Sequence, residues 1–203
     1  MARRRLLSAG ALLAACLVLF MGSRLSLSAV NWLTFLVFLV AMIVVDAYDL
    51  GLPGGDMSDM SGAIAFAALV TIAPWVAALV ATASRLLVQL TRRPRVVNDR
   101  VVESLSRRLL AMAAGLIAYG VVGASAGAAL GGNVGWLYLQ LVASSVVFFS
   151  VDVLLAQMQA GLRIHAPIVS LLAGTLRLQG LNVVAQMSVG VLGVLLYLSL
   201  IHI

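Results

Sequence analysis

The sequence predicts an all-α, polytopic integral membrane helical bundle of about six to seven transmembrane segments, with short helices meeting at Pro74. Three observations predict it. Of the 203 residues, 63% are hydrophobic and 10% charged, against roughly 45–50% and about 25% in soluble domains. The apolar runs have helical length and lack the alternating pattern of a membrane barrel, so each helix satisfies its own backbone polar groups. The formal net charge of +6 comes from arginine alone, since the chain has no lysine, and most arginines stand between the runs. That placement points to a bilayer with anionic headgroups as partner and excludes nucleic acid.

The runs read as spans are 6–22, 29–46, 61–73, 75–90, 108–128, 135–160 and 180–197. The first follows "MARRR" and has the outline of a signal peptide. It is long enough to span and another apolar run follows at once, so it reads as an uncleaved helix. Cys16 within it is a packing residue, and a single cysteine excludes an internal disulfide. After the second run comes "LPGGDMSDMS", in which Pro53, Gly54 and Gly55 make a turn for re-entry. Asp56, Ser58, Asp59 and Ser61 suit capping of the next helix.

Pro74 decides the count. It either kinks one long helix or marks a turn between two short ones. Arg3, Arg4 and Arg5 place the N-terminus in the cytoplasm, and the stretch "TRRPRVVNDRVVESLSRR" carries six arginines against Asp99 and Glu103. Both belong inside, so an even number of crossings separates them and the chain turns at Pro74. Arg92, Arg93, Arg95, Arg107 and Arg108 are then inner-leaflet anchors. The uncharged link "GGNVG" falls outside, with Trp32, Trp75 and Trp136 in an outer aromatic belt. The glycines and alanines of "AMAAGLIAYGVVGASAGAALGG" suit close helix packing within the chain, or the face of a homodimer. Segment 162–179, with Arg163 and Arg177, reads as a helix lying on the inner leaflet, which leaves 180–197 to cross outward.

Two charges lie most clearly inside spans. Arg85 and Asp152 sit about 8 Å and about 12 Å from the inner ends of their helices at 1.5 Å per residue. Similar depth makes them a candidate intramembrane polar pair, against the alternative that Arg85 snorkels to the interface. Asp46, Asp49, Asp56 and Asp59 form an acidic group without calcium-loop spacing, for which a solvated loop is the plainer account and cation binding the alternative. Gly54-Gly55-Asp56 matches the opening of a diguanylate cyclase signature, but Met57 follows where that chemistry needs acidic and aromatic residues. His165 and His202 stand alone. With no nucleophile and base, no phosphate-cradling loop and no metal spacing, neither catalysis nor a cofactor is expected in these residues.

Residues 52–130 resemble a bacterial membrane-sensor module found ahead of HD-GYP and related HD phosphohydrolase domains, and sometimes ahead of GGDEF domains. The resemblance rests on "LPGG", "DMSDMSGAIAFAALVTIAP", "WVAALVATASRLLVQL" and "TRRPR", and continues more weakly to Tyr197. The chain departs from that pattern at Ala73, where a glycine is usual, and in "VVNDRVVESLS", where an Asn-rich segment is usual. The resemblance implies a sensory input domain, 1–197, in the bacterial inner membrane, acting on a cytoplasmic cyclic-dinucleotide domain that lies beyond these residues. It also implies a further exit helix, so "LSLIHI" at 198–203 reads as a non-native tail from truncation. The alternative is a small-solute transporter or vitamin-uptake-like substrate-binding subunit with a small-molecule ligand, because proline-broken short spans mark midplane binding sites.

Overall fold

The computed structural model describes residues 12, 13, 15, 16, 32–48, 60–92, 99–127, 134–164 and 168–201. Among them the chain is helical with short turns and has no strand. The helices are α1 (Trp32–Tyr48), α2 (Ser61–Thr71), α3 (Pro74–Arg92), α4 (Asp99–Gly127), α5 (Val134–Ile164) and α6 (Ile168–Ile201). Four contain a stretch long and apolar enough to cross a membrane: Pro74–Thr91, Val101–Ala124, Gly135–Gly161 and Gly180–Ser199. The other two are shorter apolar helices. Most of the predicted first span lies outside the described residues, as do Pro53, Gly54, Gly55, Arg93 and Arg95.

The break at Pro74 is local and complete. Ile72 is extended at φ −121° and ψ 167°, its N–H still bonded to the Ala68 carbonyl. Ala73 then accepts from Val76 and Ala77 at the start of α3. Proline has no N–H to continue α2 and fits the first position of the next helix, where none is needed. The two helices take different neighbours as a result. α2 packs mainly on α6, while α3 packs mainly on α1.

α2 is apolar on every side, and such a helix belongs inside a bundle. Ser61, Gly62, Ala63 and Ala65 through Leu69 are all buried. It lies on α6 through small residues: a Cβ at Gly190 would stand 3.3 Å from the Ala63 carbonyl oxygen, and one at Gly193 would stand 3.6 Å from the Ala67 Cβ. Phe66 then meets Phe148 and Phe149, with ring centroids 5.7 and 6.3 Å away. α4 and α5 approach equally closely where Gly115 faces Phe148 and Ser144 donates to the Gly115 carbonyl at 2.8 Å. Gly120 faces open space, so Gly120→Ala is expected to be neutral or to stabilise by up to about 1 kcal/mol through helix propensity. A thermal unfolding midpoint lowered in that variant would contradict its placement.

Contacts set the direction of each helix. Thr34 at the start of α1 lies 3.4 Å from the Tyr197 hydroxyl near the end of α6. Ser61 and Phe66 of α2 pair in turn with Arg108 and with the Phe148 that covers Gly115, so α2 and α4 run the same way. Gln140 reaches Gly123 while Asp152 reaches Arg107, so α5 runs against α4. Trp32, Trp75 and Trp136 therefore share one end of the bundle.

Two boundaries differ from the sequence reading. The arginine-rich connector is mostly helix, because α4 begins at Asp99 and meets no proline or glycine before Gly115. Segment 168–179 is not a separate surface helix but the first part of α6, continuous to Ile201 over 34 residues. No proline interrupts 168–201, and helical glycines such as Gly174 and Gly180 cost only about 1 kcal/mol each.

Candidate functional site

The exterior of the bundle is unlike that of a soluble protein. Leu33, Leu36, Val37, Val40 and Val44 form an exposed stripe along α1, and Leu181, Val184, Leu192 and Leu196 another along α6. Asp46, Ser61, Ser84, Arg108, Ser144, Ser145, Gln157 and Gln186 are buried. In water, apolar surface of that extent would drive association. Several interior hydroxyls are satisfied by carbonyls of their own helix: Thr71 by Ala67 at 2.7 Å, Thr82 by Ala78 at 2.7 Å and Ser145 by Val142 at 2.8 Å. Such back-bonding removes the cost of an unpaired group without help from solvent.

The charged groups are tied between helices. Asp46, in the last turn of α1, has a fully buried side chain. It accepts from the Ser84 hydroxyl at 3.1 Å and lies 3.5 Å from Arg85 Nε, both on α3. Arg107 Nε on α4 donates to Asp152 on α5 at 2.9 Å. The next residue, Arg108, is 2% exposed and donates to the Ser61 hydroxyl at the start of α2. One turn earlier on α4, the Glu103 carbonyl accepts both the Ser106 hydroxyl at 2.9 Å and Gln159 of α5 at 3.0 Å. On the remaining helix, Gln186 approaches Gly62, its Oε1 standing 3.6 Å from where a Cβ would be.

Apart from the Glu103 and Gln159 contact, these groups fall at one level. Counting from the break at 72–73, Ser61 on α2 and Ser84 on α3 are eleven or twelve residues away, about 17 Å at 1.5 Å per residue. Each of the six helices thus brings a polar residue to a single cross-section, nearer the end where α3 stops and α4 starts.

The predicted pair does not form. Arg85 takes Asp46 and Asp152 takes Arg107, and among the described residues α3 and α5 make no contact. Depth alone could not give the neighbours, because depth says nothing of position around the bundle axis. Arg107 and Arg108 are likewise not lipid anchors: one is bound to a carboxylate and the other is enclosed. Arg92 closes α3. Of the acidic group, Asp46 turns inward to Ser84 and Arg85, and Asp49, Asp56 and Asp59 lie outside the described residues, as do His165 and His202. The described residues contain no group of three potential metal ligands. Ser61 and Ser84 were missed as partners, although each stands in an apolar run where a hydroxyl needs one. Family models, curated proteins and solved structures offer no match to this chain.

Proposed function

We propose that the chain is the membrane-embedded sensory input domain of a bacterial signal-transduction protein. In this reading it lies in the cytoplasmic (inner) membrane and crosses about six to seven times. Its N-terminus and the 93–98 connector are cytoplasmic. The output is a cytoplasmic cyclic-dinucleotide domain of the HD-GYP or GGDEF type. Input consists of a ligand or membrane state that favours one of two helix arrangements, and it can shift the balance only by its differential affinity for them.

The observation that carries the reading is the cross-section of interior charges bonded to one another beneath a Leu- and Val-covered exterior. Groups that hold helices together and have discrete alternatives suit a switch. A carrier requires polar groups available to its solute, whereas the aspartates and arginines placed here already grip neighbouring helices.

Two measurements test it. After cell fractionation and an alkaline carbonate wash, the chain should remain in the membrane pellet, and release into the wash would refute membrane insertion. The gene that encodes this chain should encode an HD-type or GGDEF domain in the same reading frame and alter cellular cyclic di-GMP when expressed. A reading frame without such a domain, with retention of a small solute by the purified protein, would establish the carrier instead.

A further inference from the structure

Arg107 and Arg108 are consecutive, yet they hold different helices. At 3.6 residues per turn they point about 100° apart around α4. Arg107 is 17% exposed and bonds Asp152, 22% exposed, on α5. Arg108 is enclosed and bonds Ser61 at the first turn of α2. Asp152 takes its hydrogen bond from Arg107, so α4 ties Ser61 to Asp152 beside the direct contact of α2 with α5 through Phe66, Phe148 and Phe149. We propose that the two arginines form a rotational latch, in which α4 has a set angle that holds α2 and α5 together or releases both.

The geometry makes release concerted. Side chains extend about 5–6 Å from a helix axis, so turning α4 by about 30° carries each guanidinium tip about 3 Å. A hydrogen bond of 2.9 Å does not survive that displacement. Because both tips ride on one rigid backbone, loss of either grip frees the rotation that breaks the other. The buried end of α2 is thereby linked to the 99–106 end of α4, which leads into the 93–98 connector. The latch is a property of the bundle and does not depend on the signalling reading.

The test uses the purified full chain in nanodiscs, with Cys16→Ser as background and nitroxide labels on Val40→Cys and Ile117→Cys, both on exposed faces. Ser61→Ala and Asp152→Asn, mild enough to preserve packing, should each add a second label distance, and it should be the same distance in both. Unchanged distances, or a different new distance in each variant, would overturn the latch. A stability cycle gives the second reading. In the double variant, the unfolding equilibrium should depart about fivefold or more from the product of the single effects, as coupled sites do. The control cycle, Ser61→Ala with Ser144→Ala, should multiply without such departure, because Ser144 bonds α4 through the Gly115 carbonyl and not through an arginine. Independence of Ser61 and Asp152, or equal coupling in both cycles, would overturn the proposal.

Discussion

Gly190→Leu should unseat α2 and lower the unfolding free energy by about 3 kcal/mol or more, at or beyond the upper end of the usual cost of overpacking. Even the Cβ would lie 3.2 Å from Phe66 Cδ1 and 3.3 Å from the Ala63 carbonyl oxygen. The carbonyl belongs to helix backbone and moves only if α2 moves. Phe66 cannot yield in the other direction, because Phe148 and Phe149 stand behind it and pack on each other edge to face with centroids 5.0 Å apart. Gly190→Ala should cost less, about 1 kcal/mol, and Gly193→Ala close to nothing, since its nearest neighbour is a Cβ at 3.6 Å. Reversible unfolding in mixed micelles gives the order. Equal stability of the leucine and alanine variants at 190 would show that α2 does not lie on α6.

That sensitivity follows from the solvent. Lipid tails are as apolar as leucine, so helices gain little by hiding Leu and Val from them, and association rests on close packing and interhelical polar contacts. Many large aliphatic side chains accordingly face outward, as on the stripes of α1 and α6, while α2 meets its neighbours through alanine, glycine and the phenylalanine cluster. Around α2 the stabilising terms are contact and hydrogen bonding. Both depend on sub-ångström fit, and both are lost together when the interface opens.

The same physics explains what could be read from the sequence. The all-helical class and the break at Pro74 follow from local features: run length, missing charge and the missing proline N–H. Rise per residue, nearly constant along a helix, gives the distance of Arg85 and Asp152 from their helix ends. It does not give their partners. Choosing Asp46 for Arg85 requires knowing that α3 lies on α1, and that neighbour relation is set by residues such as Ala63, Ala67, Gly190 and Gly193 acting between distant segments. The arginines at 107 and 108 misled for a related reason. Positive charge near a span end ordinarily goes to headgroups, but a helix that begins at Asp99 carries both into the interior, where each needs a bonded partner. The start of α6 shows the reverse error: 162–179 reads as a separate helix on the inner leaflet, although nothing between Ile168 and Ile201 stops a helix.

The buried carboxylate of α1 gives the second large effect. Asp46→Leu removes the partner of Arg85 and leaves a guanidinium facing the interior, a change that costs about 3–5 kcal/mol when the remaining charge is fully enclosed. Arg85 keeps 26% of its side chain accessible, and it can turn its head toward the nearby bundle end, so about 2 kcal/mol is the expected loss. Ser84 is spared the same fate because its hydroxyl also reaches the Ala81 carbonyl at 3.2 Å. Replacing both charges, as Asp46→Leu with Arg85→Leu, should recover most of the loss, since no unpaired charge then remains and desolvation of the pair is avoided. Reversible unfolding of the four proteins decides between two roles for the pair. Recovery in the double variant means that the pair selects which helices adjoin rather than supplying net stability. A double variant as unstable as Asp46→Leu alone would instead make the ionic bond itself the source of the α1 and α3 association.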